Sequence, residues 1–181
     1  LPLYKMIGGA HRDKVEVYGY GMMLRPENIN SLISRFKEES AEIKEMGFKA
    51  LKMKVGVGPK DDIKLIEAVR GGIGDNFRFM VDANHGYTTH DALYVGRAME
   101  EFSPYWFEEP VAPEDLDGYR ELRAFLKVNI SGGEAEFNRW GWRKLLESRG
   151  LDIAQPEVCA LGGISEYLRV LALCHSHFTP V

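Results

Sequence analysis

Cysteine is scarce in this chain of 181 residues: only Cys159 and Cys174 occur, and they form no Cys-x-x-Cys pair. That argues against a thiolate metal site or a disulfide framework, and makes a reducing, cytoplasmic setting the expectation. Long apolar runs are missing as well. None reaches the roughly 20 residues of a membrane span, and no signal-peptide pattern opens the chain. Basic excess is also lacking, with 23 Lys plus Arg against 27 Asp plus Glu and a formal net charge of -4. A mildly acidic chain without a basic block does not present a nucleic-acid surface. Neither nucleic acid nor membrane is therefore an expected partner. Apolar residues, by contrast, make up 45% of the chain, enough for the core of one ordinary domain.

Short β-rich runs at residues 15–23, 48–55, 77–82, 105–108, 128–132, 152–155 and 178–181 alternate with longer helical patterns. The helical stretches are 27–46, 61–73, 89–102, 114–126, 138–149 and 165–175; in the first, Ile29, Ile33, Phe36, Ile43 and Met46 recur at helical spacing. Pro26 and Pro59 precede helices, Thr88, Thr89 or Asp91 caps one, and Gly47 stands where a helix ends. Such alternation means βαβ units and a parallel sheet. From Asp82 to Glu108 is 26 residues, and from Glu108 to Glu134 another 26. A repeat of about 25 residues suits a parallel barrel, and a full barrel takes roughly 250. A doubly wound open sheet is the alternative, but no Gly-rich phosphate turn follows the first strand. The expected fold class is thus α/β, a partial parallel TIM-type (β/α) barrel. The chain starts at Leu1 and stops at Val181 within an apolar run, and an unclosed barrel leaves raw sheet edges. The expectation is a fragment.

In parallel barrels the reacting groups lie at the C-terminal ends of the strands. The second strand ends Lys52-Met53-Lys54, the third Val81-Asp82-Ala83-Asn84, the fourth Glu108-Glu109-Pro110, the fifth Gly132-Gly133-Glu134 and the sixth Gln155-Pro156-Glu157. Asp82, Glu108 and Glu134, one per adjacent strand, are expected to converge. Crowded carboxylates repel and are driven toward protonation unless a cation sits among them. Mg²⁺ fits, being a hard ion that takes oxygen ligands at roughly 2.0–2.1 Å and keeps positions for water or substrate. Lys52 and Lys54, two apart on a strand, share one face. Crowded ammonium groups are expected to lower each other's pKa, as a lysine general base requires.

In this order and spacing, Lys-x-Lys, Val-Asp-Ala-Asn, Glu-Glu-Pro, Gly-Gly-Glu and Gln-Pro-Glu-Val…Gly-Gly-Ile resemble the mandelate racemase branch of the enolase superfamily. The resemblance implies the (β/α)7β barrel of that superfamily. Residues 1–12 would be the tail of an N-terminal capping domain, and 13–181 an incomplete catalytic barrel lacking its C-terminal end. It implies Mg²⁺ on Asp82, Glu108 and Glu134, with Lys54 as general base or acid. Lys52 would neutralise the substrate carboxylate, and Asn84, His85 and Glu109 would touch substrate or the residues around the metal. The reaction implied is removal of a proton α to a carboxylate through an enediolate, which needs strong electrostatic stabilisation. The expected ligand is a small-molecule carboxylate, a sugar acid or its lactone, and a homo-oligomer is the expected assembly when full length. Two departures stand out. This branch usually has Asp after Gln-Pro, paired with a His on the seventh strand; here Glu157 takes that place, and the chain stops before such a His.

β-Elimination is the leading expectation, as dehydration of a sugar acid or opening of a lactone, since the residues around Pro113–Tyr119 resemble galactarolactone cycloisomerases. Racemisation or epimerisation of a 2-hydroxy acid is the alternative enzyme reading, and a non-catalytic barrel remnant that binds small acids is the alternative from another class. Other residues read as ordinary structure: Glu136 in a loop, His11, His90, His175 and His177 on the surface or in the core, Gln155 without a site role, and Trp106, Trp140 and Trp142 as packing.

Overall fold

Alternation along each strand, one side chain toward helices and the next toward the opposite face, builds the architecture. In the computed structural model, which describes all 181 residues, six parallel strands form one sheet in sequential order. They are β1 (Gly19–Tyr20), β2 (Ala50–Lys54), β3 (Arg78–Asp82), β4 (Trp106–Glu108), β5 (Asn129–Gly132) and β6 (Ile153–Ala154). The helices are α1 (Leu3–Met6), α2 (Ile29–Glu45), α3 (Pro59–Ile73), α4 (Thr89–Met99), α5 (Leu116–Phe125), α6 (Arg139–Ser148) and α7 (Ile164–Ser176). Strictly sequential parallel order with a helix after every strand is barrel topology; a doubly wound sheet would reverse its order.

Leu51, Met53, Phe79, Val81, Phe107 and Ile130 point to the helix layer and form one core with Phe36, Leu65, Val69, Val95, Leu122 and Trp142. Helix starts follow the local chemistry. Asn28 accepts the Ser31 amide, Thr88 that of Asp91, Asp115 that of Gly118, and Asn138 those of Trp140 and Gly141; each satisfies amide groups that the first helical turn leaves unpaired. Gly47 takes the positive φ of +90° that ends α2. No helix is long and apolar enough to cross a membrane.

The ends of the chain depart from expectation. Of residues 15–23 only Gly19 and Tyr20 pair with β2, and Met22 turns away with φ +54°. Gly19 is required there, because an added Cβ would lie 2.3 Å from Ile43. Residues 1–18 are exposed throughout, with α1 a single isolated turn. The expected seventh strand is not a strand. Phe178 has φ +55°, and one bond, from the Ala154 amide to the Pro180 carbonyl (2.8 Å), joins it to β6. A single backbone bond does not hold a ladder.

Candidate active site

Register brings the charged strand ends into one row. Lys54 is opposite Asp82, Asp82 opposite Glu108, and Glu108 opposite Ser131. All face away from the helix layer, since their neighbours Met53, Val81 and Phe107 fill the core. Asp82 and Glu108 are each 1% exposed. Lys52 Nζ lies 2.6 Å from Glu108 Oε1 and 3.1 Å from Asp82 Oδ2, and Lys54 Nζ is 2.7 Å from the same Asp82 oxygen. The Asn84 amide donates to Asp82 Oδ1 at 3.0 Å. Both Glu108 oxygens are engaged, because the Trp106 indole N–H donates to Oε2 at 2.8 Å.

These contacts reverse one expectation. Burial pulls the Lys52 ammonium down, but the hydrogen bond it donates to Glu108 and the charges of Glu108 and Asp82 outweigh it and hold the group above the ordinary lysine value. Lys54 is likewise raised: burial opposes, the Asp82 bond and charge prevail, and repulsion from Lys52 is the smallest contribution. Proximity of two cations counts for less than direct pairing with two anions. Glu108 is itself pushed upward, by burial first and then by Asp82.

Glu134 stands apart from this cluster. Strand β5 ends at Gly132, and Gly133, with φ +117° and Trp142 pressed against it, turns the chain so that Glu134 lies exposed beyond the row. No group of three or more acidic, histidine or cysteine side chains is arranged to hold a metal ion. The expected three-way convergence is thus realised for Asp82 and Glu108 only. Those two carboxylates approach the common Lys52 ammonium, so they lie within the span of one cation, and the all-oxygen donor set suits a hard divalent ion.

Beside the row lies a second polar cluster. Glu109, 1% exposed, receives the Asn84 side-chain amide at 3.3 Å and faces His85 Nε2 at 3.1 Å. Burial, then the nearby charge of Glu134, raise its carboxyl to about 7. Asn84, His85 and Glu109 all have left-handed backbone, with φ of +45°, +66° and +42°. Three such residues in two facing loops concentrate strain at the strand ends. His85 is held at both nitrogens, Nδ1 being 3.4 Å from the Val111 carbonyl. It therefore ties the loop after β3 to the loop after β4.

Glu157 turns back on its own loop. Its carboxylate accepts the Ala160 amide at 2.5 Å, and that bond, with one from the Cys159 amide, lowers its pKa. Sequence reasoning missed Asp62, which is fully buried. It accepts the amides of Gly56, Val57 and Gly58 at 2.9–3.1 Å and the Tyr87 hydroxyl at 2.8 Å. This clamp fixes the loop directly after Lys54. Position at the start of a helix was its only signal. Trp106, read as bland, contacts Glu108. A groove of about 560 Å³ lies elsewhere, near the N-terminal ends of β2–β4, lined by Tyr18, Phe48, Arg78 and Met80 among others. It holds none of the row's carboxylates.

A family model described as "Enolase C-terminal domain-like" matches residues 35–181. The chain is 40% identical over 172 residues to the D-galactarolactone cycloisomerase of Agrobacterium fabrum, covering 95% of this chain and 45% of that protein. It is 36% identical over 183 residues to the L-talarate/galactarate dehydratase of Salmonella typhimurium, covering 98% of this chain and 44% of that protein. Among solved structures, a racemase from Streptomyces coelicolor with bound magnesium superimposes with a TM-score of 0.88 at 30% identity, over 97% of this chain and 48% of that one. The chain thus spans less than half the length of the relatives it matches.

Proposed function

The chain belongs to the enolase C-terminal domain-like family, and from that premise we propose that the protein carrying it removes the proton α to the carboxylate of a sugar acid or sugar-acid lactone and expels a β leaving group. The observation that carries this reading is the row of half-buried Lys54 and buried Asp82 and Glu108, with Lys52 bridging the two acids. Similarity to a galactarolactone cycloisomerase and a galactarate dehydratase supports the substrate class.

Asp82 and Glu108 would hold Mg²⁺, and Glu134, exposed just beyond β5, would complete the set by turning its side chain toward them. Bound there, the ion would supply the positive charge that stabilises the dianion left when an α-proton departs. Lys54, at the end of β2 and half-buried, takes that proton. Its pairing with Asp82 must loosen first, since a raised ammonium is a poor base. Lys52 neutralises the substrate carboxylate. Asn84, exposed on its strained turn, presents its amide to the substrate, with Glu109 and His85 holding that turn in place. Glu157 would orient an imidazole once released from the Ala160 amide it accepts.

The test is made on the full-length protein. Lys54→Ala should stop exchange of the substrate α-proton with deuterated solvent while Mg²⁺ affinity stays near normal; exchange that persists by NMR removes Lys54 as the base. Glu108→Gln should abolish Mg²⁺ binding in a calorimetric titration, and undiminished affinity would remove Glu108 from the site. Turnover of acid sugars and their lactones identifies the reaction: loss of water or ring opening supports β-elimination, and an epimerised product refutes it.

A further inference from the structure

Glu108 is the most tightly held acid of the row, and the way it is held distinguishes one tryptophan from another. Its two carboxylate oxygens are taken by different donors: Oε1 by the Lys52 ammonium at 2.6 Å, Oε2 by the Trp106 indole N–H at 2.8 Å. Trp106 sits two residues before Glu108 on β4, so both side chains leave the strand on one face. The ring is not free to swing. Tyr18 packs edge-on against it, with centroids 5.9 Å apart at 82°, and Tyr105 lies tilted at 5.6 Å. With a donor on each oxygen, rotation of the carboxylate plane breaks one bond or the other, which is costly for an acid that is 1% exposed.

That contact is not an automatic consequence of burying an indole. Trp142 is fully buried in the helix-facing core, and its N–H has no partner. The chain therefore contains a paired indole at the carboxylate row and an unpaired one behind it.

We propose that Trp106 is a positioning residue, whose indole N–H fixes the plane of the Glu108 carboxylate and so sets which oxygen lone pairs face Asp82 and the site. The proposal rests on the reading of Glu108 as a metal ligand. Outer partners that orient metal ligands are commonly worth 10- to 100-fold in metal affinity.

The test replaces an indole by a ring of similar shape without the N–H, in the full-length protein. Trp106→Phe should weaken Mg²⁺ binding by calorimetry at least about tenfold and lower the thermal midpoint by a few degrees, whereas Trp140→Phe, at the exposed indole of α6, should leave Mg²⁺ affinity unchanged. Equal affinities in Trp106→Phe and wild type overturn the proposal, as does an equal loss in both variants, which would mean general loosening. A second measurement needs no metal. The indole N–H resonance that disappears in Trp106→Phe should lie downfield and exchange slowly with solvent, and should move upfield in Glu108→Gln. An indole resonance at the free position, unmoved by Glu108→Gln, overturns the proposal by itself. A wild-type protein that binds no Mg²⁺ while this resonance behaves as expected overturns the metal reading and leaves the positioning role supported.

Discussion

The two ends of the strands each bury a cation, and they do so by opposite means. At the N-terminal ends, Arg70 of α3 reaches the carbonyls of Gly74, Phe77, Phe102 and Ser103 at 2.7–3.1 Å and lies over the Phe79 ring at 4.6 Å. It is bonded to neutral backbone dipoles, and burial lowers its pKa. At the C-terminal ends, Lys52 is held by two ionised side chains from different strands, and charge raises its pKa. Left-handed backbone occurs at both ends, at Ser103 beside Arg70 and at Asn84, His85 and Glu109 beside the acids, so strain alone does not separate them. Charge does: neutral dipoles hold the cation at one end, and paired ionisable side chains hold it at the other. Ionisable groups gathered at the C-terminal ends are the arrangement expected where a parallel barrel does its chemistry.

The sharpest way to break this comparison is Lys52→Met. It leaves Glu108 buried without an ammonium, while Asp82 keeps Lys54, and should cost roughly 3–5 kcal/mol of stability in urea unfolding. Saturating Mg²⁺ should restore a large part, because a cation replaces a cation. Arg70→Met removes donors from four carbonyls and should cost about 3 kcal/mol. Here Mg²⁺ should restore no more than it adds to wild type. A rescue of Arg70→Met equal to that of Lys52→Met would erase the distinction between the two ends.

Glu109 sharpens the comparison in the other direction. Its carboxyl, raised to about 7, binds a proton in the folded state that the unfolded chain has released above its ordinary value of 4.5. The group therefore lowers stability progressively as pH rises from about 4.5 to 7, and the loss is complete above that. Glu109→Gln should stabilise the protein at pH 8, on the order of 1 kcal/mol, and flatten this slope in thermal melts. Stabilisation by loss of a buried acid would mark the C-terminal end as a place where stability is sacrificed. A destabilised variant would instead make Glu109 part of the frame.

The smallest effect belongs to the rim between α6 and α7. There Arg139 donates to both Glu166 oxygens at 2.7 Å and lowers that carboxyl to about 2. A depressed carboxyl pKa contributes stability that is fully present above 4.5 and fades as pH falls toward 2. Glu166→Gln should remove that part of the acid slope while leaving Mg²⁺ affinity untouched.

Much of the fold was legible because it rests on local periodicity. Strand–helix alternation, the caps at Asn28, Thr88 and Asn138, and the stop at Gly47 all depend on residues within one turn of each other. The boundaries slipped where neighbours decide them: residues 15–23 could all be strand by composition, yet Ile43 of α2 and the turn at Met22 leave only two paired. The site was legible as a list of strand-end charges and not as a set of contacts. Lys52 looked like a neighbour of Lys54, whereas 56 residues separate it from the Glu108 oxygen it binds. Asp62 gave no sign in composition, because it acts on the loop after β2 and on Tyr87 of a more distant loop; Trp106 shares a strand and a face with Glu108, and only the bond itself was hidden.

By itself, then, the order of residues determined that this chain forms parallel β/α units with Lys54, Asp82 and Glu108 at the strand ends, since side-chain alternation and repeat length are properties of a covalent chain. Which oxygen meets which donor was decided only when the strands came into register. That step set Lys52 between two acids and left Glu134 outside their group. The reason is range: periodicity acts over a few residues, whereas pairing, burial and the charges they shift act over distances that only folding makes short.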